Sequence, residues 1–170
     1  MKKLLRWLSI LPALLMLLLI FGFSAQDGAT SGSLSYKISY AVICTFHRIF
    51  SLDFSETELV SKANDLQFFI RKLAHVTEYF LLTLSLYLPL RIWLPYKRLS
   101  IAEKQFYYRL ILPMFFLGLF FATADEFHQS FVPGRCGTPL DVLVDSVGII
   151  AGCVLLILCH RHCLKKKSHR

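Results

Sequence analysis

The chain has 170 residues, of which 55% are hydrophobic and 15 are phenylalanine, and its mean hydropathy is +0.55. Soluble domains run at about 45–50% apolar even with glycine counted, so the composition fits one membrane-embedded domain rather than a soluble one. The net charge of +8 does not indicate nucleic acid: the basic residues gather at the ends of apolar runs and no nucleic-acid-binding motif is present.

Lys2, Lys3 and Arg6 precede an uncharged run over residues 7–26, and a bilayer core needs about 20 such residues. A cleaved signal peptide ending near Ala25 is the rival reading. The run exceeds the usual apolar region of a signal, and bulky Phe23 stands three residues before the cut, so a retained first helix is expected.

Residues 27–71 form the long polar connection, an outer loop carrying amphipathic helices. Gly28, Gly32 and neighbouring serines have turn composition. Residues 34–43 mix apolar and polar positions as a short amphipathic helix lying on a surface would. Ser55-Glu56-Thr57-Glu58 fits a capping box, so a helix is expected to start there and run without proline into the second span.

That second span covers about residues 73–94. Arg71, Lys72, His75 and Glu78 stand at its entrance, and the three- and four-residue spacings put Lys72, His75, Glu78 and Tyr79 on one helical face. The third span opens with Lys104 and Arg109, has an interfacial Tyr107-Tyr108 pair and a possible kink at Pro113, and ends in Asp125-Glu126-Phe127-His128-Gln129. The fourth covers about residues 139–159. Asp141, Asp145, Gly148 and Gly152 recur on one face, and the two glycines make a small-xxx-small pattern suited to close helix contact. A basic tail, 161–170, follows; its Lys165-Lys166-Lys167 reads as an anchor to an anionic inner leaflet. Thus residues 1–26, 27–71, 72–160 and 161–170 divide as first helix, outer loop, three-span core and cytoplasmic tail.

With four spans the polar segments alternate sides. The N-terminus, the 91–109 connection and the tail hold 13 of the 19 Lys/Arg residues, and every acidic residue except Glu103 falls on the other side. Basic excess marks the cytoplasmic face, so both termini are expected inside a multi-pass plasma-membrane protein. The Lys72–Tyr79, Asp125–Gln129 and Asp141–Asp145 stretches then meet at one depth, in the outer leaflet. Ionisable groups are costly there and are functional candidates by default.

Each candidate carries two readings. Asp125, Glu126, His128 and Gln129, with Asp141 and Asp145, suit a polar cavity, and carboxylates plus imidazole suit a divalent cation. They equally suit a buried ion-pair network neutralised by Arg71, Lys72 and Arg135. No tight metal spacing such as His-x-x-x-His is present to favour the cation. His75 and Glu78 fit a base with its orienting group, or a hydrogen bond on a helix surface. Arg135, within Pro133-Gly134-Arg135-Cys136-Gly137, suits an anion such as phosphate, with Lys72 as a second cationic contact, or pairs with an acid at the rim. The five cysteines, Cys44, Cys136, Cys153, Cys159 and Cys163, have no framework spacing, although Cys44 and Cys136 share a side and a bridge between them is conceivable. Cys159-His160-Arg161-His162-Cys163 has metal-type residues but no second arm, so it reads as part of the basic anchor.

Three stretches together resemble the VanZ-like family: Phe69-Ile70-Arg71-Lys72-Leu73-Ala74-His75-Val76-Thr77-Glu78-Tyr79, Asp125-Glu126-Phe127-His128-Gln129-Ser130-Phe131-Val132-Pro133-Gly134-Arg135, and Asp141-Val142-Leu143-Val144-Asp145-Ser146-Val147-Gly148. Phe23-Ser24-Ala25-Gln26 also resembles that family's Ser-x-Gln element. The resemblance runs in order over about residues 12–158. It implies a small bacterial integral membrane protein of the cell envelope, in a family whose founding member is linked to resistance to the glycopeptide teicoplanin. It assigns motif positions (Lys72, His75, Glu78, Tyr79, Asp125, Glu126, Gln129, Pro133, Arg135, Asp141 and Gly148) but no reaction.

The expectation is therefore an all-α, four-span membrane bundle with a polar outer-leaflet site. The leading functional reading is an envelope protein that alters the outer surface and lowers glycopeptide action. The competing one is a membrane-embedded hydrolase or transferase acting on a lipid-linked phosphate or wall precursor, with Lys72 and Arg135 holding the anion and His75, Asp125, Glu126 or His128 acting as acid, base or metal ligand. A transporter is disfavoured, since four spans leave little room for a pathway and no internal repeat is visible.

Overall fold

The computed structural model describes residues 2–93 and 106–168. Its described residues form helices and turns without a strand: α1 (Lys2–Leu8), α2 (Leu11–Ser24), α3 (Gly28–Ile49), α4 (Glu56–Trp93), a π-helical turn (Tyr107–Ile111) leading into α5 (Leu112–Gln129), and α6 (Pro139–Ser168). Four segments are long and apolar enough to cross a membrane: Arg6–Ser24, Glu56–Trp93, Tyr107–Gln129 and Pro139–Lys166. Lys104, expected to open the third span, and most of the 91–109 connection lie outside the described residues.

Contacts far apart in sequence fix the order of the bundle. At one end the Trp7 and Trp93 rings meet edge-on at 5.0 Å, the Trp93 indole N–H donates to the Arg6 carbonyl at 3.1 Å, and Phe106 stacks on His160 at 3.9 Å. At the other end Gln129 reaches Ser24 and Lys72 reaches Asp141. The four spans therefore run up and down, with α4 central and in contact with every other span. Ile20, Tyr79, Leu82, Leu110, Met114 and Ile149 fill the interior, while Leu14, Leu15, Leu18 and Leu19 face outward, as lipid-facing positions do in a helix apolar all round.

α4 and α6 approach closely because Gly148 and Gly152 lie between them. A Cβ at Gly148 would run into the Val76 carbonyl and one at Gly152 into the Thr83 side chain. The small-xxx-small face thus does what its spacing predicts. The capping box also forms: the Ser55 N–H donates to Glu58 Oε2 at 2.8 Å and the Glu58 N–H to Ser55 Oγ at 3.4 Å. From there α4 runs unbroken for 38 residues.

One expectation is corrected. The Gly28–Gly32 region is the first turns of α3 rather than a loop. Asp27 caps the helix, accepting from the Thr30 N–H at 2.6 Å, and this bond holds its carboxyl below the ordinary value. Ser35 and Ser39 are buried, with hydroxyls folded back onto the Ser31 and Ser35 carbonyls. Their small size lets α3 pack along the first half of α4, where Gln67 donates to the Gly32 carbonyl at 2.9 Å. Tertiary packing overrides the turn propensity of these residues. The third span departs from a regular α-helix just before Pro113, in the π-helical turn whose Leu112 N–H bonds to the Tyr107 carbonyl, and the helix continues through the proline into α5.

Candidate functional site

The four spans bring their polar residues to the end of the bundle marked by Ser24, Lys72, Gln129 and Asp141. α4 supplies Lys72, His75 and Glu78. The face that holds them also carries Tyr79, which is fully buried and whose hydroxyl points to the Phe121 carbonyl at 3.4 Å. α5 supplies Asp125, Glu126 and Gln129 from one face, all buried. α6 supplies Asp141 and Asp145, and the 131–138 loop supplies Arg135.

The contacts sort these residues. Lys72 pairs with Asp141 at a half-buried edge. His75 Nδ1 faces Asp145 Oδ1 at 3.5 Å. Gln129 Nε2 bridges Ser24 Oγ at 2.7 Å and Asp125 Oδ2 at 3.0 Å, tying α2 to α5. Glu126 Oε2 accepts the Thr138 N–H at 3.1 Å. That bond needs Gly137 beside it, since a Cβ there would strike the Glu126 carbonyl. His75, Asp125 and Glu126 each offer a donor atom within 4.8 Å of the others.

Charge balance at this end is uneven. Asp125 is 0% and Asp145 1% exposed, and among the described residues Asp125 Oδ1 and both Asp145 carboxylate oxygens have no hydrogen-bond partner. Of the expected network of Arg71, Lys72 and Arg135 around the acids, the pair Lys72–Asp141 forms; beside it, among the described residues at this end, only His75–Asp145 comes within ion-pair range. Buried carboxylates without a partner are expensive, so this centre calls for a proton or a cation from elsewhere.

Arg135 instead donates from Nη2 to the Phe23 carbonyl at 3.0 Å, which caps the end of α2. Burial and the neighbouring Arg71 guanidinium both push its pKa down, yet an arginine retains its charge through the physiological range. The loop that presents Arg135 is pinned to α3: the Gly28 N–H donates to the Pro133 carbonyl at 3.0 Å. Gly134 follows at φ 71°, a conformation that favours glycine.

Next to the acids lies a cavity of about 220 Å³ bounded by α2, α3, α4 and the loop. Ile20, Phe23, Leu34, Ile38, Ile70 and Ala74 make its apolar walls, and Arg71, His75, Glu78 and Arg135 stand in it. His75 is shared between this cavity and the three-residue donor group.

Two sequence readings change here. His75 faces Asp145 on another helix, not Glu78 on its own, and Glu78 turns to the cavity. His128 stands apart from the donor group, its ring edge-on to Phe21 at 5.9 Å, because it lies off the face that carries Asp125, Glu126 and Gln129. Cys44 and Cys136 are free. Ser24, Gly137 and Thr138 were not among the site candidates. The Ser-x-Gln resemblance was the available signal for Ser24, whereas Gly137 and Thr138 offered none beyond a turn.

No curated protein and no solved structure matches the chain. The model of the VanZ/LLP1 family matches residues 9–160, a region that contains the Lys72–Tyr79, Asp125–Gln129 and Asp141–Asp145 stretches. A match over that much of the sequence, joined to four segments able to span a bilayer, means that the chain is a multi-pass membrane protein belonging to the VanZ/LLP1 family.

Proposed function

We propose that the protein works at the outer leaflet of the bacterial plasma membrane, holding the phosphate-bearing head of a lipid-linked envelope precursor and so altering the cell surface that glycopeptides such as teicoplanin reach. The single observation that carries this reading is the cavity. Its apolar walls match a lipid chain, while Arg71 and Arg135 supply the paired planar donors that phosphate oxygens accept. Leu34 and Ile38 on α3 are exposed and also line the cavity, an apolar edge by which an amphiphile enters sideways from the bilayer. The basic excess at the N-terminus, the 91–109 connection and the tail favours a cytoplasmic location for both termini, and thus an outward site. Burial of Ile20 and Ser24, and the bond from Gln129 to Ser24, favour a first helix that stays with the mature chain.

A second reading follows from the donor group bordering the cavity. His75, Asp125 and Glu126 give it acid–base capacity, which suits a hydrolase or transferase acting on the held phosphate. In the hydrolytic case water adds to phosphorus while the bond to the bridging oxygen breaks. A proton passes from the water to one of these side chains, and the leaving phosphate keeps the bonding electron pair.

Binding of undecaprenyl phosphate to the purified protein in nanodiscs tests the first reading. Removing a charged donor to a phosphate costs about 1.5–3 kcal/mol, so Arg135→Met should weaken binding roughly 10- to 100-fold. Equal binding by wild type and Arg135→Met, or a gene deletion that leaves teicoplanin susceptibility and envelope composition unchanged, would contradict it. Release of inorganic phosphate from undecaprenyl diphosphate separates the second reading from simple binding.

A further inference from the structure

The buried acids at the head of the bundle have a chemistry that phosphate binding does not use. Asp125 is fully buried, with Oδ1 unpartnered. Glu126 is 5% exposed, and its Oε2 is already fixed by the Thr138 N–H, which leaves Oε1 for another partner. His75 brings an imidazole against the same point from α4. An independent side chain addresses this group from α6: Asp145, 1% exposed, with neither oxygen hydrogen-bonded among the described residues and Oδ1 3.5 Å from His75 Nδ1.

We propose that His75, Asp125 and Glu126 bind one divalent transition-metal cation and that Asp145 orients the His75 ring from behind. Facing Nδ1 to Asp145 leaves the other ring nitrogen for the ion, the arrangement by which an outer carboxylate fixes a ligating histidine. One nitrogen with two carboxylate oxygens suits zinc, manganese or iron better than calcium or magnesium, which take oxygen alone. Ligands about 2.1 Å from an ion lie roughly 3.4 Å apart in a tetrahedron. The donors here, within 4.8 Å of one another, need only side-chain rotation to close. Three protein ligands leave a coordination position open toward the cavity that His75 also lines, where a phosphate oxygen would meet the ion. The cation would also offset the excess carboxylate charge that Lys72 and Arg135 leave unpaired.

The placement of the ion beside a phosphate rests on the proposed function; the binding of the ion does not. The test loads chelator-stripped protein in nanodiscs with Zn²⁺ or Mn²⁺ alone and measures retained metal. Wild type should retain one ion per chain. His75→Gln and Asp125→Asn should each weaken retention by at least about 100-fold, and Asp145→Asn by about 10- to 100-fold, the range seen when an outer-shell partner is lost. Asp65→Asn, an exposed acid on the outer half of α4, should change nothing. Wild type that retains no metal would overturn the inference. So would retention that survives His75→Gln, which would assign the ion to exposed histidines such as His162. A measurement on wild type covers variants that fail to fold: metal should protect His75 from diethylpyrocarbonate, and equal modification with and without metal contradicts the proposal. Undecaprenyl phosphate binding on the same preparations separates the two ideas. Metal lost with lipid retained defeats the cation alone, and lipid lost with metal retained defeats the phosphate reading alone.

Discussion

At Gly148 the backbones of α4 and α6 come together with no side chain between them, and the position of Asp145 opposite His75 depends on that approach. A methyl group placed there must push against the Val76 carbonyl rather than a movable side chain. Gly148→Ala should therefore cost about 1–3 kcal/mol, the usual range for overpacking, read as a lower unfolding temperature in detergent. Gly32 makes the opposite case. A Cβ there would meet only the Gln67 side chain at 3.5 Å, an ordinary contact, and its neighbours are helical. Gly32→Ala should be neutral or stabilise by up to about 1 kcal/mol through the lower backbone entropy of the unfolded chain. If both substitutions proved equally harmful, the close packing of α4 on α6 would not be what distinguishes them. The same residue scale shows what spacing can and cannot reveal. The shared face of Lys72, His75 and Tyr79 follows from helical periodicity. The partner of His75 did not, because Asp145 lies 70 residues away in sequence and a neighbouring Glu78 offered a local substitute.

Among the elements, α3 was the least legible. Its glycines and serines are turn formers by propensity, and only the tertiary contact with α4 shows why a helix would contain them: Ser35 and Ser39 are small enough to be buried and can satisfy their hydroxyls on the helix itself. Ser39→Leu should accordingly wedge α3 away from α4. The prediction is faster cleavage by protease in the turn near Ser51 while the spans stay intact, and unchanged cleavage would place α3 elsewhere. By contrast, the start of α4 and the glycine-faced α6 were visible in advance, since a capping box and a small-xxx-small stripe are local patterns with local causes. The site itself was legible as a cluster at one end of the bundle. Its division into an Arg-lined cavity and a His/Asp/Glu donor group was not, because that depends on which faces α4, α5 and α6 turn to one another.

For the whole molecule, the proposed orientation makes a prediction with the protein's own cysteines. Cys136 is exposed on the loop beside the site, and Cys163 is exposed near the opposite end of α6. In intact cells an impermeant maleimide should label a variant retaining only Cys136. A variant retaining only Cys163 should stay unlabelled until the membrane is opened, and the reverse result would turn the molecule over. The central claim is that the polar end is a working site and not merely the knot that holds four helices. It is tested most directly by scoring teicoplanin susceptibility and membrane abundance together for Arg135→Met and Asp125→Asn, beside wild type and a deletion strain. The account predicts susceptibility equal to the deletion strain at wild-type abundance. Wild-type susceptibility in both variants, or susceptibility that changes only in proportion to lost protein, would contradict it.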